Sequence, residues 1–284
     1  MLIGSCLLSL YPKIMDQKLS HIIGNCFVNL PFDQLSLYDE LIRKFRIQPE
    51  IGLEGEILYT FTRDNFAEKA RLLEQEGLHC TLHAPFGDLS PGARDKRILE
   101  ASRDKLRRCF ELIEIFKPVS VVCHLNYEEI KHSYHLDDWF DNSLATWREF
   151  LTIAEQNSTI IMFENTYETS PAIHQRFLET LNSPHARFCL DTGHLMAFAQ
   201  NQWQNWLPPL ENWLGQLHLH DNRGSRDEHL PIGAGDFDFT GLFAYLKKHN
   251  LAPLVTLEPR SETDLWESLK ALDRLALFDH KIEY

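Results

Sequence analysis

The sequence predicts a single (β/α)8 barrel spanning residues 1–284, and three observations predict it. Short β-branched runs alternate with longer amphipathic stretches, the order of a parallel sheet covered by helices. The length of 284 residues suits one barrel of about 250 residues better than two smaller domains. Six consecutive hydrophobic runs, HCTLHAP, SVVCHLN, TIIMFEN, ARFCLDTGH, QLHLHDN and PLVTLEP, each close on a His, Asp or Glu. The C-terminal ends of parallel barrel strands open into one mouth, so these residues are expected to converge there.

The elements follow in order. The N-terminal MLIGSCLLSLY is apolar but lacks the basic region and cleavage site of a secretory signal, so residues 2–8 read as strand one. Leu37, Leu41, Ile42 and Phe45 recur at helical spacing and predict helix one over 33–46. Strand two is expected at 50–54. Helix two, near 63–77, has Asp64 as its expected N-cap and Gly77 as its stop. Strand three, 79–83, ends at His83. Helix three, about 95–116, carries Leu106, Cys109, Phe110, Ile113 and Phe116 on one stripe. Strand four, 119–124, ends at His124. Helix four, about 137–156, carries Trp139, Phe140, Leu144, Trp147 and Leu151. Strand five, 159–164, ends at Glu164, and Pro171 opens helix five. Strand six, 187–191, ends at Asp191. Residues 203–213 are rich in tryptophan and read as irregular. Strand seven covers 216–220, helix seven about 238–249, strand eight 253–258 and helix eight about 262–278.

No apolar run reaches the roughly 20 residues that span a bilayer. The six cysteines show no CxxC spacing, and Cys80, Cys123 and Cys189 fall within expected strands. They read as small buried hydrophobes in a reducing compartment, so the expected location is the cytoplasm. Twenty-eight basic residues stand against 41 acidic ones, a net charge of −13. An acidic surface repels a phosphate backbone, which disfavours nucleic acid as a partner. A homo-oligomer is compatible with the sequence.

The strand-end residues carry the chemistry. They are His83, His124, Glu164, Asp191 with His194, His218 and Glu258, and Asp227 and His229 follow in the loop after LHLHD. Singly, a strand-end His is usually a hydrogen-bonded structural residue, and a lone carboxylate a cap or a solvated charge. Six such residues on consecutive strand ends instead predict a site for hard or borderline divalent cations. Gly193 in LDTGH is expected to let the chain turn so that Asp191 and His194 both face the mouth. Asp227 and His229 are expected to share a face of an extended segment, which PIGAGDFDF pins over the barrel. His218 and His220 are expected on opposite sides of their strand, with His218 the ligand.

The motifs LHAPFGDLSPGARD, VVCHLNY, MFENTYE, CLDTGHLMAF, HLHDNRGSRDEHLPIGAGDFDF and TLEPR together resemble the xylose-isomerase-like TIM-barrel superfamily. That group includes sugar isomerases and epimerases and abasic-site nucleases of the endonuclease IV type. The resemblance implies two kinds of site, and with them zinc or manganese, one to three ions. A single-ion epimerase site would use Glu164, Asp191, His218 and Glu258. A three-zinc nuclease site would add His83, His124, His194, Asp227 and His229. In that second arrangement His83 and His124 share one ion with Glu164 as a bridge. Asp191, His218 and Glu258 serve the second ion, and His194, Asp227 and His229 the third. The chain departs from the nuclease pattern after His83, where a long polar loop is missing and Phe86 is the aromatic available. It lacks a basic run along phosphates, and also the lysine motif of true xylose isomerases.

The expected function is therefore a metal-dependent isomerase or epimerase of a sugar or sugar-like compound, phosphorylated or not. Glu164 and Glu258 are the expected acid–base pair, and Phe86, His194 and Arg223 the expected substrate contacts. Trp203, Trp206 and Trp213 would either wall the mouth or pack in the core. The alternative is a three-zinc phosphoester hydrolase of the abasic-site endonuclease type.

Overall fold

The computed structural model describes residues 17–275. Eight parallel strands close in sequence order: β1 (Phe27–Pro31), β2 (Gln48–Gly52), β3 (Thr81–His83), β4 (Ser120–His124), β5 (Ile160–Glu164), β6 (Ala186–Asp191), β7 (Leu214–Leu219) and β8 (Leu254–Leu257). β1 pairs with both β2 and β8, so the sheet has no free edge. The fold is the expected (β/α)8 TIM barrel.

The expected strand at 2–8 lies outside the described residues, and the first barrel strand is β1. FVNLP is five residues long and ends on proline, too short to show a period. Helix two begins at Arg63, as expected, but its cap is Thr62 and not Asp64. Thr62 accepts from the Asn65 backbone N–H and Asn65 accepts from that of Thr62, a reciprocal capping box that displaces Asp64 from the role. The stripe expected as one helix over 95–116 is two, Lys96–Phe110 and Ile113–Phe116. The tryptophan-rich segment is a helix, Trp203–Leu210, followed by a 3-10 turn. Pro208 and Pro209 mask its helical period. Trp203 and Trp206 are buried, Trp206 stacks near Phe188 with ring centroids 6.5 Å apart, and Trp213 packs against the same core. The core alternative therefore holds for all three.

Alternation along each strand divides the interior. Val121, Cys123, Ile161, Phe163, Phe188, Leu190, Leu217, Leu219, Val255 and Leu257 join the apolar layer under the helices. Val122, Met162 and Cys189 form a separate small cluster inside the barrel. All five described cysteines are buried thiols. Among the described residues no helix is long and apolar enough to cross a membrane.

Candidate metal centre

Register decides which side chains meet. His124 lies opposite Glu164 across β4–β5, and Asp191 opposite His218 across β6–β7. The strand-end residues thus occupy one inward-facing layer. Glu164 is its centre. Its Oε2 lies 3.3 Å from His83 Nε2, 3.1 Å from His124 Nε2 and 3.3 Å from His218 Nδ1, while Oε1 lies 3.0 Å from His194 Nδ1. His218 Nδ1 is also 3.0 Å from Glu258 Oε1 and 3.9 Å from Asp191 Oδ2. Asp227 Oδ2 lies 2.9 Å from His229 Nε2 and 3.8 Å from His194 Nε2. All nine residues expected to bind metal therefore stand together.

The imidazoles share a pattern. One ring nitrogen is tied to a neighbouring oxygen and the other faces the carboxylates. His83 Nδ1 is 3.1 Å from Ala84 O, His124 Nδ1 3.0 Å from Thr166 Oγ1, His194 Nδ1 2.9 Å from Asn165 O, and His229 Nδ1 3.2 Å from Glu258 O. His218 Nε2 is 3.2 Å from Glu50 Oε1, which leaves its Nδ1 as the inward lone pair. Fixing one nitrogen sets the tautomer and aims the other, as in metal-bound histidines.

Three atoms of this cluster, His218 Nδ1, His220 Nδ1 and Asp227 Oδ1, are buried without a hydrogen-bond partner. Buried polar atoms are ordinarily satisfied, and imidazole with carboxylate is a donor set suited to zinc or manganese. The residues present thus fit a divalent cation. Electrostatics agree. Burial alone would raise the Glu164 carboxyl, but the charges of His218 and His124 and hydrogen bonds from His124 and His194 hold it well below the usual range. Burial would lower the histidines. The Glu164 hydrogen bond and charge instead lift His83 to about 9, and Asp191 and Glu164 lift His194 to about 10. For His229, Asp227 and Glu258 outweigh burial and lift it to about 9. His124 goes the other way, lowered by burial that Glu164 does not offset. The carboxylates demand positive charge, which protons supply in the absence of a cation.

Three local expectations are corrected. His218 and His220 both face the centre, because residues two apart on a strand share a face. His220 Nε2 lies 3.1 Å from Asp191. Gly193 sits in a helical turn, Thr192–His194, and serves a different end. A Cβ there would lie 1.9 Å from His220 Cε1. The Asp227–His229 segment is not extended, since His229 has φ +49°. It is held by an isolated bridge between Asp221 and Leu230, and the Asp221 carboxylate accepts from the backbone N–H groups of Asn222, Gly233, Gly235 and Phe237.

Above the cluster opens a cavity of about 520 Å³. Phe86 lines it and stacks on His124, ring centroids 4.2 Å apart, and His194 lines it too. Arg223 does not; it is exposed and donates to Ala234 O. The arginine lining the cavity is Arg260, beside Glu54, Tyr38 and Asn29. These residues, like Glu50 below, carry no sequence signal beyond their place near a strand end.

The family description "Xylose isomerase-like TIM barrel" matches residues 48–277. The protein belongs to that family. Two curated relatives of this family member come from Methanocaldococcus jannaschii. The uncharacterized protein MJ1311 is 26% identical over 247 residues, covering 82% of each chain. The uncharacterized protein MJ1614 is 26% identical over 237 residues, 82% of this chain and 88% of that one. Among solved structures, a D-tagatose 3-epimerase-like protein has a TM-score of 0.77 at 23% identity, covering 88% of this chain and 97% of that one. A protein from Thermus thermophilus, soaked with ZnCl2, has a TM-score of 0.73 at 20% identity over 89% of this chain and 98% of that one. A 3-keto-D-glucoside 4-epimerase from E. coli has a TM-score of 0.68 at 17% identity over 89% and 98%.

Proposed function

We propose that this protein is a divalent-metal-dependent isomerase or epimerase acting on a sugar or sugar-like carbonyl compound. One observation carries the reading. Glu164 from β5 and Glu258 from the end of β8, strands three places apart in the barrel, approach the same His218 nitrogen at the floor of the 520 Å³ cavity. Two carboxylates on opposite sides of one carbon can take a proton from one face and return one to the other. When bound, a zinc or manganese ion supplies Lewis-acid polarisation of the substrate carbonyl and hydroxyl oxygens. Glu164, Asp191, His218 and Glu258 are the residues to hold it. The cavity wall suits a polyhydroxylated ligand. Asn29, Tyr38, Thr166, Tyr167 and Arg260 offer donors, and Phe86 gives an apolar face. The epimerases among the structural neighbours support the same substrate class. Buried free thiols suit the cytoplasm.

A second reading, a multi-zinc phosphoester hydrolase, draws on one observation. His83 and His124, outside the four inner residues, bring ligand atoms within 4.8 Å of Glu164 and of each other. Metal counting separates the two, because the epimerase chemistry needs only the inner ion.

The test is solvent-deuterium exchange at the carbon-bound hydrogen of a panel of ketoses, with metal content measured in parallel. Wild type is expected to exchange. Glu258→Gln is expected to lose at least about 100-fold in exchange, the typical contribution of a general acid–base group. Undiminished exchange in that variant, with metal still bound, removes Glu258 from the acid–base role.

A further inference from the structure

We propose that Glu168, backed by His174, positions the metal centre from outside the barrel, through the peptide group between Asn165 and Thr166. This inference rests on the metal-dependent reading above and names what aims two of its imidazoles. Glu168 closes the MFENTYE motif, whose Glu164 is the centre of the cluster. Neither Glu168 nor His174 lines the cavity.

The geometry runs through one planar unit. Glu168 is 1% exposed, and its Oε2 accepts the Thr166 backbone N–H at 2.7 Å. The carbonyl of that same peptide, Asn165 O, lies 2.9 Å from His194 Nδ1. The peptide is trans, and a trans peptide is planar with its N–H and C=O directed oppositely. Holding the N–H therefore aims the carbonyl. Asn165 O accepts from Nδ1, which leaves His194 Nε2 as the free lone pair. Thr166 extends the control to a second ring, since its Oγ1 lies 3.0 Å from His124 Nδ1. The Asn165 side chain ties the turn to β6. It accepts from the Asp191 backbone N–H at 2.8 Å and donates to Asp191 O at 3.1 Å. One buried carboxylate thus stands behind the rings of His124 and His194.

Glu168 is itself held from the helix side. His174, in the helix Ala172–Leu181, is fully buried, with Nε2 3.6 Å from Glu168 Oε2. Its ring lies 5.3 Å from that of Phe188, behind β6. Burial would raise the Glu168 carboxyl, but His174 and the Thr166 N–H hold it below the usual carboxylate range. Among the described residues, Glu168 Oε1 and both His174 nitrogens have no hydrogen-bond partner. A buried pair so incompletely satisfied adds little to stability, and apolar replacement of such a pair is often neutral. Its effect is therefore on the aim of the peptide and not on folding.

Cobalt(II), whose visible absorption bands report its ligands, tests this in two variants. Glu168→Gln keeps an oxygen for the Thr166 N–H and is expected to retain wild-type cobalt affinity and bands. Glu168→Leu/His174→Leu removes that oxygen and both ionisable groups. It is expected to fold, as read by circular dichroism, but to bind cobalt about 10–100-fold more weakly and with altered bands. Wild-type affinity and bands in the folded double variant overturn this inference alone. So does a loss of about tenfold or more in Glu168→Gln, where the acceptor is kept. A double variant that does not fold also overturns it, because the pair would then act on stability. Wild type that binds no cobalt removes the metal-dependent reading, and this inference with it. The expected cobalt results without deuterium exchange on any sugar leave this inference standing and remove the isomerase reading.

Discussion

Glu50 shows how a single side chain sets the chemistry above it. It is fully buried inside the barrel, where an unpaired carboxylate costs several kcal/mol. Five donors surround it: Asn29 Nδ2 at 3.1 Å, Thr81 Oγ1 at 2.9 Å, Gln216 Nε2 at 2.7 Å, Thr256 Oγ1 at 3.0 Å and His218 Nε2 at 3.2 Å. Burial would raise its pKa, but the His218 charge and hydrogen bond lower it. The last of these contacts fixes the His218 tautomer. Glu50→Gln puts an amide NH2 against groups that donate, so it is expected to lose about 1–3 kcal/mol of stability. It should also weaken metal binding by about 10–100-fold, the usual effect of losing an outer partner of a metal-bound His. Chemical unfolding of metal-free protein and metal titration read the two effects separately. Unchanged metal affinity in a destabilised variant would confine Glu50 to a packing role.

At the scale of elements, the loop after β7 depends on one carboxylate. Asp221 accepts four backbone N–H bonds between 2.8 and 3.1 Å, from Asn222, Gly233, Gly235 and Phe237. Gly235 is required there, since a Cβ would lie 2.4 Å from Asn222 O. This anchoring carries Asp227 and His229 to the mouth. Asp221→Asn keeps the shape but removes the charge and sets an NH2 against backbone donors. Hydrogen exchange at Gly233, Gly235 and Phe237 is expected to accelerate by about tenfold or more, matching a loss of at least about 1.4 kcal/mol in local opening. Unaltered protection there would show that the Asp221–Leu230 bridge holds the loop without the carboxylate.

At the scale of the molecule, the cluster makes stability depend on pH and metal together. His83, His194 and His229 are lifted from 6.5 to about 9, 10 and 9. A raised folded-state pKa contributes stability in full below the unfolded value and loses it as pH rises through the folded value. Metal-free protein is therefore expected to lose thermal stability between about pH 6.5 and 10. Metal-loaded protein should resist that loss, because the cation supplies the charge and binds deprotonated ligands better. Melting temperatures across this range with and without a chelator test both; parallel curves would remove the cluster from the effect. The net charge of −13 gives a second molecular expectation. Duplex DNA should bind weakly at physiological salt, with Kd no tighter than the usual nonspecific range of about 10⁻⁴–10⁻⁶ M. Tight binding or efficient incision of abasic-site DNA by metal-loaded protein would favour the hydrolase reading instead.

The sequence by itself determined the barrel and most of its mouth. Six inward strand ends bear ligand-type residues, and a parallel barrel brings all such ends together whatever the loops do. Tertiary structure decided the rest. The first strand, β1, was hidden because five residues carry no readable period. Glu50 lies midway along β2, and only its contacts across the barrel to β1, β3, β7 and β8 show that its charge is satisfied and directed at His218. His220 meets Gly193, Asp227 and His229, groups brought against it by a helical turn and a loop. Local pattern encodes which face a side chain takes, but the partners it meets there come from distant segments, and those partners fix its tautomer, its charge and its use.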